Sequence, residues 1–181
     1  KQELKSNNIN VPSDLSSSAF FIIAALINKG SKINLNNINI NPSRDGILKA
    51  LKKMGAKINI ENQRTLSGEI VADLQVEYSN LIGCELDAEM AKFMIDEYPI
   101  LSVAAAFAKG TSIFRGLKEL KVKESDRLEL IRLNLVNCGC DCEIMNDDLI
   151  IKPSENYIPK NNKIRTDFDH RIAMSFVVMG S

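Results

Sequence analysis

The sequence has no surplus of either charge: 23 Lys and Arg residues are matched by 23 Asp and Glu. A chain without a general positive potential is a poor candidate for a nucleic-acid binder, which leaves only local patches to consider. Histidine is nearly absent, with His170 alone, and the four cysteines, Cys84, Cys138, Cys140 and Cys142, form no C-x-x-C pair. That inventory does not make a metal knuckle, so reduced, packed thiols are expected, and no metal. Cys138, Cys140 and Cys142 alternate as residues on one face of a strand would. Long apolar runs are missing too: the longest is about one core helix, too short to span a bilayer, and no charged leader precedes it. A cytoplasmic protein with no membrane partner is expected. What is present is 181 residues, 45% hydrophobic and 25% charged, enough for one substantial core or two small ones.

Read in order, residues 8–12 are extended and lead into Ser13-Asp14-Leu15-Ser16-Ser17-Ser18, a cluster of residues that favour helix N-caps. The helix predicted over 17–27 is apolar almost all round, as a helix buried between other elements is, and Gly30 is placed to close it in a left-handed cap. An alternating strand around Ile33 and Leu35 follows, then an amphipathic helix through Ile47, Leu48, Leu51 and Met54 closed by Gly55, then strands at 57–61 and 69–78. The same order returns from Leu81. An extended stretch leads to Asp96-Glu97-Tyr98-Pro99, a small-residue helix over 103–108 and Lys109-Gly110. A strand at 112–115, a charged cluster, an amphipathic helix ending at Asn137-Cys138-Gly139 and strands at 142–145 and 149–152 complete it. A third copy opens at Ile164-Arg165-Thr166-Asp167, with a helix starting at Asp169-His170-Arg171.

A period near 80 residues is too long for a solenoid. The expected fold class is α/β (α+β): repeated βαβαββ units at 8–79 and 81–153, with the start of a third at 163–181, in one incomplete globular lobe over 1–181. Parallel buried helices would lie inside and the sheets outside. The buried helices then start on Asp14, Asp96 and Asp169. These acids read either as N-caps or as markers of several positive helix ends aimed at one cleft.

The stretch Lys121-Val122-Lys123-Glu124-Ser125-Asp126-Arg127 stands directly before an apolar-periodic run, Leu128, Ile131 and Leu135. Such charges at a helix start are usually a solvated first turn. As a site they offer more. Unpaired backbone N–H groups favour anions there, Lys123 and Arg127 add to that preference, and Glu124 supplies a carboxylate for proton transfer. Spacings of four and three residues bring these groups to one side if the first turn is helical.

Three segments together resemble the 5-enolpyruvylshikimate-3-phosphate synthase family: Asp96-Glu97-Tyr98-Pro99 with its Ala-rich helix, Leu120-Lys121-Val122-Lys123-Glu124-Ser125-Asp126-Arg127-Leu128, and Asp169-His170-Arg171-Ile172-Ala173-Met174-Ser175-Phe176. The opening Val11-Pro12-Ser13-Asp14-Leu15-Ser16-Ser17 is also similar, with Ser13 where the family usually has glycine. The resemblance implies one lobe of an enolpyruvyl transferase fold, and transfer of the enolpyruvyl group of phosphoenolpyruvate to the 5-hydroxyl of shikimate 3-phosphate with release of phosphate. No cofactor is implied. By matching motif positions, Asp96 would be proton acceptor or orient the hydroxyl, and Glu124 would protonate and deprotonate the methylene carbon. Lys123 would bind shikimate 3-phosphate, Arg127 and Arg171 would hold the phosphoenolpyruvate carboxylate, and His170 would neighbour them. The family's other lobe is the implied partner, so the chain alone is expected to be inactive or nearly so. Two other readings stand beside this one: the related transferase acting on UDP-N-acetylglucosamine, and a non-catalytic βαβαββ module binding RNA or protein.

Overall fold

Three helices begin on an aspartate that caps them. In the computed structural model, which describes residues 5–6, 8–153 and 163–181, Asp14 accepts the Ser17 N–H at 2.8 Å and starts α1 (Leu15–Ile27). Asp126 accepts from the Glu129 N–H at 3.0 Å and starts α5 (Arg127–Asn137). Asp169 accepts from the Arg171 N–H at 2.9 Å and starts α6 (His170–Met179). Each carboxylate satisfies an amide that the helix itself leaves unpaired. Because Asp14 takes the cap, α1 begins two residues before the predicted 17. Asp96 departs from the pattern. It lies in a 3₁₀ turn, Ile95–Glu97, and α4 (Tyr98–Ala106) starts at Glu97 with no side-chain cap and Pro99 in its first turn, where a missing N–H costs nothing. The N-cap reading of Asp96 is therefore wrong, and its carboxylate is left for other contacts.

Strand β1 (Lys32–Asn39), helix α2 (Gly46–Lys53), strand β2 (Lys57–Leu66) and strand β3 (Glu69–Glu77) follow α1. They form an antiparallel sheet of order β1-β3-β2. Residues 8–12 are not a strand. One parallel bridge, Ser13 to Ile38, stands there instead. Next come β4 (Glu85–Leu86), α3 (Ala91–Met94) between 3₁₀ turns, α4, β5 (Ser112–Phe114), the 3₁₀ segment Lys118–Val122, α5, β6 (Asp141–Met145) and β7 (Asp148–Lys152). The second sheet has the order β4-β5-β7-β6, parallel only between β4 and β5. The helical turns over 88–95 stand where the sequence points to an extended stretch.

All nine residues of α4 are buried. α1 and α6 pack on it and on each other, although Phe21 of α1 is exposed. Two contacts fix their directions. The starts of α4 and α6 meet where Arg171 reaches the Asp96 carbonyl at 3.1 Å. The ends of α1 and α6 meet where the Asn28 side chain donates to Ser181 Oγ at 3.0 Å, and a cavity is shared by Ile27 and Ala106 at the ends of α1 and α4. The three helices therefore run in parallel. Gly30 and Gly110, just beyond α1 and α4, adopt φ of 84° and 88°, a conformation that costs glycine little and other residues more.

All four cysteines are free and buried. Only Cys142 lies in a strand. Cys138 is the C-cap of α5, so the three do not line one strand face. Burial pushes the Cys142 thiol up to about 12, which keeps it protonated at neutral pH.

Candidate functional site

The charged run 121–127 is expected at a helix start, with Lys123, Glu124 and Arg127 on one side if that first turn is helical, and the run does not form an α-helical turn. Lys118–Val122 is a 3₁₀ helix, Lys123 has extended backbone, and the Asp126 cap delays α5 until Arg127. The strap nevertheless gathers the expected side chains. Lys123 Nζ lies 3.5 Å from Asp96 Oδ1 and 3.0 Å from Glu119. Arg127 Nη1 donates to the same Asp96 oxygen at 3.0 Å, its Nη2 donates to Glu124, and its Nε donates to Asp169 Oδ2 at 2.7 Å. Ser125 Oγ donates to that Asp169 oxygen at 2.9 Å.

Arg127 is thus an arginine only 1% exposed whose guanidinium meets three carboxylates. A buried charge is tolerable only when it is paired and its donors are used, and the planar fork of arginine satisfies all three acceptors at once. Asp169 is fully buried and has two jobs. One oxygen caps α6 through the Arg171 and Ile172 amides, and the other holds Arg127 and Ser125. Burial alone would raise its pKa, but the hydrogen bonds from Arg127 and Ser125, with the Arg127 charge, outweigh it and hold the carboxyl below the usual carboxylate range. The motif reading placed Asp169 only at a helix start. Its second role depends on a strap 42 residues away in sequence, which no local pattern reports.

Arg171 comes to the same place from α6. Its Nη1 donates to the backbone carbonyl of Asp96 at 3.1 Å and lies 3.9 Å from Glu97. His170 is exposed at the first position of α6, beside Arg171. Asp96, Lys123, Glu124, Arg127 and Arg171, contributed by three separated segments, surround one point. Asp96 Oδ2 has no hydrogen bond among the described residues, and the Asp96 side chain is 39% exposed.

The balance of charge differs from what the motif alone suggested. Lys123 sits on Asp96 and Glu119, Arg127 on Asp96, Glu124 and Asp169, and Arg171 by Glu97. Each of these three cations therefore has a carboxylate beside it. On Arg127, an incoming carboxylate or phosphate must exchange with an internal carboxylate, and the candidate to give way is Glu124, 58% exposed and bonded among the described residues to Arg127 alone. Lys123 is held above the usual lysine range, first by its bond to Glu119 and then by the charge of Asp96, so it is a fixed cation at neutral pH. Among the described residues no group of three or more His, Cys, Asp and Glu is placed to hold a metal ion, and no helix is long and apolar enough to cross a membrane.

Helix starts and basic side chains converging on one polar point are the make-up of an anion-exchanging site in a mixed helix-and-sheet lobe. All 181 residues match the family model for EPSP synthase (3-phosphoshikimate 1-carboxyvinyltransferase), and the chain belongs to that family. A 3-phosphoshikimate 1-carboxyvinyltransferase of Paramagnetospirillum magneticum is 49% identical over 98% of this chain and 40% of its own length. One from Syntrophomonas wolfei is 44% identical over 98% of this chain and 41% of its own. The solved structure of EPSP synthase from Acinetobacter baumannii superposes with a TM-score of 0.92 at 39% identity, over 99% of this chain and 42% of that one. The chain therefore spans about 40% of the length of the curated relatives it matches.

Proposed function

We propose that Asp96, Lys123, Glu124, Arg127 and Arg171 form one wall of an active site that transfers the enolpyruvyl group of phosphoenolpyruvate to the 5-hydroxyl of shikimate 3-phosphate. The observation that carries this reading is the meeting of Arg127 and Arg171 at Asp96, each through Nη1, within hydrogen-bond distance of its side chain and its carbonyl respectively. Arg127 and Arg171 then grip the phosphoenolpyruvate carboxylate, and planar guanidinium groups fix such a carboxylate in orientation as well as position. The carboxylate takes the place of Glu124 on Arg127. Glu124, released and now close to substrate anions that raise its proton affinity, delivers a proton to the methylene carbon. The open Oδ2 of Asp96 orients the 5-hydroxyl and takes its proton as the hydroxyl oxygen attacks the adjacent carbon. Loss of phosphate from the tetrahedral adduct, with Glu124 recovering a methyl proton, restores the double bond. Lys123 holds shikimate 3-phosphate beside the reacting centre, and His170 borders the site.

The shared sheet order, in which a bridge or short strand runs parallel to the strand after the buried helix and antiparallel strands follow, supports dividing the chain into units at 8–79 and 81–153 with a third beginning at 163. The local excess of carboxylates, with Asp96, Glu97, Glu119, Glu124 and Asp169 around Lys123, Arg127 and Arg171, argues that additional positive charge for two polyanionic substrates comes from the rest of a longer protein. The missing lobe is that partner, with no nucleic acid and no membrane, in a cytoplasmic setting.

The test compares a protein of the relatives' full length with the 181-residue chain. The longer protein should bind shikimate 3-phosphate and release phosphate when phosphoenolpyruvate is added, and it should not turn over UDP-N-acetylglucosamine. The 181-residue chain should be slower by at least about a hundredfold, since half a site neither aligns nor encloses the reactants. Phosphate release from the shorter chain at the full rate would overturn the two-walled site, and turnover of the UDP-sugar would overturn the substrate.

A further inference from the structure

Arg171 needs a counter-charge that leaves its guanidinium free to meet a ligand, and the Asp96 carboxylate, occupied by Arg127 and Lys123, does not provide it. Glu97 does. This carboxylate is only 6% exposed, at the start of α4, and lies 3.9 Å from Arg171 Nη1. Beside it from α1 stands the Ser16 hydroxyl, on a residue 3% exposed, which has no hydrogen-bond partner among the described residues yet is near enough to favour the charged form of Glu97. Arg44, at the turn before α2, lines the same small cleft as Asp96 and Glu97, and its charge also reaches Glu97. A buried acid with a serine hydroxyl on one side, an arginine on another and a second arginine at the rim is costly to keep unless it holds something in place.

Resting on the functional reading above, we propose that Glu97 is a positioning residue: it fixes the Arg171 guanidinium so that the Nε and Nη2 edge, which has no hydrogen bond among the described residues, is presented to the donor carboxylate. The direction of the effect separates this role from simple electrostatics. Removing a negative charge beside the site would by Coulomb attraction tighten the binding of an anion. Removing a positioning group loosens it, because the arginine must then be ordered by the ligand itself.

The experiment is steady-state kinetics on the full-length protein with Glu97→Gln, which keeps size and polarity, alongside Arg171→Ala. Glu97→Gln should raise the KM for phosphoenolpyruvate about tenfold while kcat changes by no more than about twofold, with the KM for shikimate 3-phosphate unaltered. A second readout is pH. Burial, opposed by Ser16 and by the Arg171 and Arg44 charges and assisted by Asp96, pushes the Glu97 carboxyl above the usual carboxylate range. Protonation on acidification should therefore weaken phosphoenolpyruvate binding in the wild type, and Glu97→Gln should lack that limb. Ser16→Ala, a small change that tests the same idea if Glu97→Gln folds poorly, removes a group favouring the charged form, so its limb should move to higher pH. A phosphoenolpyruvate KM that is lowered or unchanged in Glu97→Gln, while Arg171→Ala raises it, would overturn the role of Glu97 and leave the site standing. An unchanged KM in Arg171→Ala would overturn both.

Discussion

Arg127→Ala is expected to lose about 3–5 kcal/mol of folding stability and nearly all activity together, because it leaves a buried carboxylate without its cation. Asp169 has no solvent to turn to: its side chain is fully buried, and Arg127 provides its only ion pair among the described residues. Without the guanidinium, the carboxylate that caps α6 and anchors the strap keeps only Ser125 and backbone amides. Arg127→Lys should recover only part of the loss, since one ammonium group cannot place three donors in the plane that Asp96, Glu124 and Asp169 define. The effect of pH follows from the depressed pKa of Asp169. A carboxyl whose folded-state pKa lies below its unfolded value of roughly 3.9 contributes stability at every pH above that value, and loses it as the pH falls through the folded one. In Arg127→Ala the depression is gone and burial dominates, so the ionised form becomes the costly one. The stability gap between the two proteins should be full at neutral pH and narrow toward pH 4, as urea unfolding across that range can measure. An equal gap at all pH values would mean that packing, rather than the ion pair, is what Arg127 contributes.

Glu124→Gln should separate chemistry from folding. Its side chain is more than half exposed, and its one partner among the described residues is Arg127, so stability should change by no more than about 0.5 kcal/mol. The amide cannot give or take the proton that the methylene carbon exchanges, so kcat should fall by about 10²–10⁴. The KM for phosphoenolpyruvate should hold or decrease, since the variant no longer places a charged competitor on Arg127. A kcat within about tenfold of wild type would remove Glu124 from the proton path.

The contrast between these two residues, three apart in sequence, shows what could be read from the chain and what could not. The motif points to Lys123, Glu124 and Arg127 on one side, and the structure brings Lys123 and Arg127 to Asp96 and Glu124 to Arg127. Local chemistry carried that information: N-cap acids, apolar runs of helical period and glycines that close helices are properties of a few neighbouring residues. The aspartates at 14 and 169 obeyed those rules and capped their helices. Asp96 did not, because Arg127 and Lys123 come in from the strap and claim its carboxylate, and tertiary charge overrides a cap preference worth about 1 kcal/mol. By its sequence pattern the strand that starts at Lys57 ends at Glu61. The strand runs to Leu66 because a register shift between Glu61 and Arg64, with Asn62 in the left-handed region, carries pairing through a polar stretch that looks like a turn. Burial was the least visible quantity. Nothing in the string marks Arg127 as more buried than Arg132 on the same helix, yet the first is enclosed and the second is partly exposed on Glu129. Glu97 is passed over for the same reason, since an acid two residues before Pro99 at a helix start looks like part of a solvated first turn.

The most direct measurement is a crystal structure of the full-length protein with shikimate 3-phosphate and phosphoenolpyruvate, or an unreactive analogue of the donor, bound together. The expected result places the donor carboxylate within about 3 Å of guanidinium nitrogens of both Arg127 and Arg171, with Glu124 moved off Arg127 and turned toward the methylene carbon. A donor carboxylate held elsewhere, with Glu124 still bonded to Arg127, would contradict the account.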